Sequence, residues 1–234
     1  MICIPVNAAS TEAALKKMER AYAMAGIVEL RLDGMADPDL PRLLAAKAGK
    51  IVVTNRHREE GGRFEGPEDQ RIAFLMEAAA LGADYVDVEA RTEPSLRRAL
   101  LDSIAGNGGH ATEAILSCHL PVGTPGEEAL ADLLKSLIRE GVPVIKLVPF
   151  AKRPEDNLRV LSLLPRAREC GQRMIAFCMG EAGRISRVMA PLLGSFLTYA
   201  SLEEGEETAP GQLAVGEMRR MLRLLGGGWA DEER

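Results

Sequence analysis

Lys146 lies in Val142-Pro143-Val144-Ile145-Lys146-Leu147-Val148-Pro149-Phe150, a run otherwise apolar on both faces. Burial disfavours the ammonium form of an amine, by as much as ~3–5 pKa units, so a lysine kept in such a strand is a candidate nucleophile toward carbonyl groups. The competing reading is a strand-end lysine whose stem carries the charge out to water. Side chains on a strand alternate with period two, so Glu29, Arg31 and Asp33 share a face, with Val28, Leu30 and Leu32 on the other. The same arithmetic pairs Thr54 with Arg56, Asp87 with Glu89 and Ser117 with His119. A buried ion pair would account for any one of these strands. Together they bring ionisable groups to one end of a sheet, where acid, base and nucleophile can meet.

His119, in Ile115-Leu116-Ser117-Cys118-His119, is the histidine expected on a strand. An imidazole titrates near neutrality and can both take and return a proton; a core histidine bonded to a backbone carbonyl is the alternative. Cys118, one residue earlier, should point away and pack. His57 and His110 fall in polar loops and read as solvated. Asp87, Glu89 and His119 could offer oxygen and nitrogen ligands to a metal. No H-E-x-x-H or comparable spacing accompanies them, and the expected site holds no metal. Whether cations (Arg31, Arg56, Arg187) or carboxylates (Glu29, Glu60, Glu89) lie nearer Lys146 is a matter of geometry.

These residues need elements to hold them. Short β-rich runs at 2–6, 27–33, 51–56, 85–89, 113–119, 144–149, 174–179 and 195–200 alternate with amphipathic stretches such as 11–25, 69–81, 126–140 and 154–170. Pro125 and Pro154 suit the first turns of the last two. Eight such units predict an α/β fold, a (β/α)8 TIM barrel in a single domain over residues 1–226, with 227–234 as a disordered tail. A doubly wound sheet would want a Gly-rich turn after the first strand, and Asn7-Ala8-Ala9-Ser10 is not one. The polar residues then gather at the C-terminal ends of the strands, the active face of barrel enzymes. Residues 57–67, with Gly61, Gly62 and Gly66, form a long loop expected to be a mobile cover. The acidic Glu203-Glu204-Gly205-Glu206-Glu207 reads as a loop tip.

Composition narrows the function. With 234 residues, 47% hydrophobic and 27% charged, the chain is of ordinary globular make-up. No apolar run approaches the ~20 residues of a membrane helix. Met1-Ile2-Cys3-Ile4-Pro5-Val6 lacks a basic leader and reads as a first strand, so the cytoplasm is the expected location. Cys3, Cys118, Cys170 and Cys178 form no C-x-x-C pair and are expected to be reduced and buried. A net charge of −5 and a pI near 5.4 argue against a nucleic-acid partner, and an anionic substrate would need a local cationic pocket. Aromatic residues, at 4%, leave few platforms for stacking bases or sugars.

Taken in order, Glu29-Leu30-Arg31-Leu32-Asp33, Thr54-Asn55-Arg56 with Glu60-Gly61-Gly62, Asp87-Val88-Glu89, and Ser117-Cys118-His119 followed by Thr124-Pro125 make a series. Val144-Ile145-Lys146, Met179-Gly180-Glu181-Ala182-Gly183-Arg184-Ile185-Ser186-Arg187 and Ala209-Pro210-Gly211-Gln212 complete it. Over nearly its whole length the chain resembles the type I 3-dehydroquinate dehydratase family, the Schiff-base dehydratases of the shikimate pathway. The resemblance implies a (β/α)8 barrel, a homodimer, 3-dehydroquinate as the small-molecule substrate, and no metal or organic cofactor. It implies Lys146 as the Schiff-base lysine, His119 as the proton-transfer histidine and Glu60 as the carboxylate that orients it. Glu60 by local sequence alone reads as a loop charge. Arg187 and Gln212, with Thr208 beside them, would bind the substrate carboxylate and its surroundings. Glu29, Arg31 and Arg56 would contact the ring hydroxyls and order the site. There are three departures from the family pattern: Thr208 where the family has serine, the long acidic loop before it, expected near the anion site, and a start directly at the first strand without a short N-terminal extension. Other readings are another lysine-dependent class I aldolase-type barrel, or a non-catalytic sensor of a shikimate-type acid.

Overall fold

The structure, a computed structural model, describes residues 1–109 and 111–226; His110 and the expected tail at 227–234 lie outside the described residues. Strand and helix alternate as β1 (Ile2–Asn7), α1 (Thr11–Tyr22), β2 (Ile27–Arg31), α2 (Leu40–Ala45), β3 (Lys50–Thr54), α3 (Glu68–Ala80), β4 (Tyr85–Glu89) and α4 (Pro94–Gly106). They continue as β5 (Glu113–Leu120), α5 (Glu127–Arg139), β6 (Val144–Pro149), α6 (Asp156–Leu161), α7 (Leu163–Glu169), β7 (Arg173–Ala176), α8 (Arg184–Leu192), β8 (Thr198–Tyr199) and α9 (Val215–Leu224). The eight strands run in the order β7-β6-β5-β4-β3-β2-β1-β8 and pair in parallel. A backbone bond from Phe196 N to Met174 O, 2.8 Å, draws the approach to β8 against β7 and nearly closes the circle. This is the single-domain (β/α)8 barrel expected from the alternation.

Parallel strands covered on both faces carry near-continuous apolar runs. All six residues of β6 are accordingly buried, the lysine included. The helices turn one apolar stripe inward: Ala14, Met18 and Ala21 on α1, and Leu130, Leu134 and Leu137 on α5, are buried. Ser10 caps α1, its hydroxyl accepting from Ala13 N at 3.3 Å.

Several local expectations are corrected. The segment 154–170 is two helices, α6 and α7, because Pro165 has no N–H to offer Leu161 O and its ring crowds that turn. Pro125 and Pro154 each fall one residue before the N-caps, Gly126 and Glu155; the first-turn prolines are Pro41 and Pro94. β2, β3 and β7 stop short of 33, 56 and 179, where the chain leaves the ladder to build loops over the barrel mouth. The acidic loop is turned to α1, where Glu203 pairs with Arg20 and Glu206 lies 3.5 Å from Lys17. Cys170 is exposed and Cys118 half-buried, whereas Cys3 and Cys178 are buried. Among the described residues, no helix is long and apolar enough to cross a membrane.

Candidate active site

With β6 covered on both faces, Lys146 has no route to solvent except along the barrel axis, and it is 4% exposed. Its Nζ donates to Asp87 Oδ2 at 2.9 Å and Tyr199 Oη at 3.3 Å, lies 3.5 Å from Glu29 Oε1 and sits 4.5 Å from the centre of the Tyr199 ring. The amine is therefore interior, and the solvent-reaching alternative does not hold. Carboxylates, not arginines, are its nearest neighbours. The parallel register explains the meeting: Ser117 stands opposite Lys146 on β5, and Asp87 opposite Thr54 between β4 and β3, so the inward side chains interleave.

Asp87 also pairs with Arg56 Nη2 at 2.8 Å through the oxygen that Lys146 uses, and accepts from Ser117 Oγ at 2.6 Å. Burial alone would raise its carboxyl, but the cations of Arg56 and Lys146 outweigh it and hold the group well below the usual carboxylate range. Arg56 is further bound to Glu89 at 2.9 Å and Ser117 at 2.7 Å. Glu89 in turn accepts from His57 N at 3.0 Å and from Arg71, a fully buried arginine of α3. Asp87 and Glu89, the carboxylates considered as metal ligands, are thus engaged by arginine and lysine. Among the described residues no cluster of three or more His, Cys, Asp or Glu is arranged for a metal. His57, expected in a polar loop, is half-buried, accepts from Glu59 N at 3.2 Å and caps a short 3-10 turn at Arg58–Glu60.

That turn delivers Glu60. Its Oε2 accepts the backbone N–H of His119 at 2.9 Å and lies 2.9 Å from His119 Nδ1. With Glu60 ionised, Nδ1 donates to this oxygen and Nε2 is left as the acceptor. Burial, aided by Arg56 and Lys146, pushes the imidazole well below its ordinary value, so it is neutral at pH 7. Burial also raises Glu60, to about 7, with Glu89 and Asp87 adding and Arg56 opposing. His119 thus bonds a carboxylate, not the backbone carbonyl of the core alternative.

Opposite stands a cation of another kind. Arg187 on α8 is 1% exposed, stacks 4.7 Å from the centre of the Phe177 ring, and donates through Nη2 to Pro210 O at 3.2 Å. Among the described residues its Nε has no hydrogen-bond partner and no carboxylate pairs with it. Burial without a counter-ion pushes it down to about 10. An unpaired buried guanidinium is a ready partner for a carboxylate. Beside it, Gln212 Oε1 accepts from Thr208 N at 2.7 Å and Thr208 Oγ1 at 3.3 Å, so the amide presents Nε2 as its donor. Gly211 makes this turn possible: its φ is +79°, and a Cβ there would stand 2.2 Å from Gly180 O.

Glu29, Arg31, Arg56, Glu60, His119, Lys146, Arg187, Thr208 and Gln212 all line one cleft, together with Val148, Phe177, Met179, Tyr199 and Pro210. Glu29 also accepts from Thr54 Oγ1 at 3.0 Å, and Arg31 is held bidentately by Asp33 at 2.8 and 2.9 Å. Three participants were not anticipated. Tyr199 could have been found from strand parity, since a buried phenol needs a polar partner. Asp87 was paired with Glu89 in sequence but not with the lysine. Arg71, in the polar start of α3, carries no local sign of burial.

A family model for type I 3-dehydroquinase matches residues 2–228. The 3-dehydroquinate dehydratase of Thermococcus gammatolerans is 37% identical over 230 residues, 97% of this chain and 100% of that protein. The 3-dehydroquinate dehydratase of Desulfotalea psychrophila is 34% identical over 218 residues, 93% of this chain and 95% of that protein. The solved structure of 3-dehydroquinate dehydratase from Geobacillus kaustophilus superposes with a TM-score of 0.83 at 27% identity, over 97% of this chain and 91% of that one. A 3-hexulose-6-phosphate synthase from Salmonella typhimurium, at 14% identity and a TM-score of 0.62, shares the barrel alone. The family match runs the length of the barrel, not a single motif, and on that breadth the chain belongs to the type I 3-dehydroquinase family.

Proposed function

We propose that this protein eliminates water from 3-dehydroquinate to give 3-dehydroshikimate through a Schiff base on Lys146. The observation that carries the reading is the placement around one cleft of a buried amine, a histidine held by Glu60, and a buried arginine that has no counter-ion among the described residues. The relatives named 3-dehydroquinate dehydratase support the substrate.

In this reading Arg187, with the Gln212 amide, binds the ring carboxylate, while Glu29 and Arg31 meet the hydroxyls and Arg56 orders the carboxylates beneath them. Lys146 first gives a proton to Glu29 Oε1, 3.5 Å away; the free amine adds to the ring ketone, and that proton goes to the carbinolamine hydroxyl as it leaves. Loss of water from the carbinolamine leaves an iminium, which draws electrons from the adjacent C–H bond. His119 Nε2 takes that proton to form an enamine, stabilised as an imidazolium by Glu60. The same proton then goes to the departing hydroxyl, and water releases the product and the free lysine. One histidine serves both steps because the proton removed is the proton required. A barrel of this kind is further proposed to act in the cytoplasm as a homodimer.

Two measurements test the proposal. An ultraviolet assay for the conjugated enone should show turnover of 3-dehydroquinate, and borohydride in its presence should leave a covalent adduct on Lys146. No rise in absorbance and no mass shift on the intact protein would sink it; retro-aldol fragments would favour the aldolase reading.

A further inference from the structure

In Glu29-Leu30-Arg31-Leu32-Asp33 the first and third residues line the cleft, whereas Asp33, 8% exposed, sits behind it. Its Oδ1 accepts from Arg31 Nε at 2.8 Å and Arg56 N at 3.3 Å, and its Oδ2 from Arg31 Nη2 at 2.9 Å and Arg63 N at 3.1 Å. A carboxylate has about four lone-pair directions, so its capacity is spent on these donors. Two of them, Arg56 N and Arg63 N, are the shoulders of the loop that carries Glu60. The loop returns to its own start because residue 62 is glycine: a Cβ there would stand 1.9 Å from Arg56 O. Between the shoulders, Glu60 reaches both nitrogens of His119 at 2.9 Å. The remaining two donors fix the guanidinium of Arg31 and leave Nη1 for a ligand.

We propose that Asp33 is a positioning residue that sets Arg31 and the Glu60 loop in one frame, coupling the grip on the substrate ring to the orientation of His119. The inference rests on the dehydratase reading above. Misplacing a catalytic group by 1 Å can cost about 100-fold in rate, so a carboxylate that registers two such groups acts on rate without touching substrate. An ion pair that served stability alone would leave the kinetic parameters of the folded enzyme unchanged.

The full-length protein tests this through hydrogen exchange and kinetics together. Asp33→Asn should speed amide exchange across residues 56–63 by about tenfold in the ligand-free protein. It should also raise KM and lower kcat, each by about tenfold. The borohydride adduct should still form, because Lys146 contacts Asp87, Glu29 and Tyr199 and not Asp33. Gly62→Ala drives a methyl to within 1.9 Å of Arg56 O and so displaces both the loop return and Arg56; it should lower kcat about tenfold and raise KM with it. Adding Asp33→Asn to Glu60→Gln should lower kcat little beyond Glu60→Gln alone, because the first acts through the second. Unchanged exchange at 56–63, fully additive losses in kcat, or a Gly62→Ala enzyme with normal kcat would each overturn the proposal. A wild-type protein that neither traps substrate nor turns over would instead sink the dehydratase reading, and the exchange experiment would still decide whether Asp33 holds the loop.

Discussion

Arg187→Met should make the empty protein more stable and the working enzyme much poorer. The guanidinium is 1% exposed, pairs with no carboxylate among the described residues, and is pushed down to about 10 by burial. A base whose folded pKa lies below its unfolded value opposes folding at every pH under both, so the penalty is fully present at pH 7. At 1.36 kcal/mol per unit the shift corresponds to about 3 kcal/mol. Removing the charge also removes the stacking on Phe177 and the bond to Pro210 O, together about 2 kcal/mol. The net expectation is a gain of about 1 kcal/mol in urea unfolding of the ligand-free protein. Against substrate the sign reverses. Two charge-assisted hydrogen bonds to a carboxylate, at about 1.5–3 kcal/mol each, put the loss in kcat/KM at about 100-fold or more. Urea melts and the enone assay on the same preparation check both arms. An Arg187→Met protein that melts well below wild type, or turns over normally, would refute the view of this cation as an unpaired anion receptor.

His119→Ala should still form the borohydride adduct while kcat falls by about 10²–10⁴-fold; normal turnover would remove the histidine from proton transfer. Glu60 has a raised folded pKa, about 7, so its contribution to stability is present in acid and lost as pH rises through that value. Glu60→Gln should therefore unfold less readily than wild type above pH 7, with the gain gone below the ordinary carboxylate range, as read from melts across pH. Gly211→Ala forces a side chain into φ +79° and to within 2.2 Å of Gly180 O, and should raise KM through displacement of Gln212. The strain should be about 1–3 kcal/mol in urea unfolding, and an unchanged KM would show that the turn does not hold the carboxylate site.

The sequence by itself determined the barrel and much of the site's membership. Strand parity put Glu29, Arg31, Thr54, Asp87, Ser117 and His119 on inward faces, because the alternate face of each pleated strand is covered by helices and takes the apolar residues. Its alternation of β and α runs allowed few architectures, and the ordered motifs assigned Glu60, Arg187 and Gln212, which local pattern alone would have left as loop and helix polar residues. Only the tertiary structure decided how the charges balance. The register of β4, β5 and β6 made Asp87 the partner of Lys146 and Arg56 at once, and packing of α3 brought Arg71 beneath Glu89. It paired Glu203 and Glu206 of the acidic loop with α1, and among the described residues it left Arg187 without a counter-ion. Which ionisable groups share an interior is inscribed in the strand pattern; which of them touch depends on distances of an ångström or two between elements far apart in the chain, and that distance is set by packing.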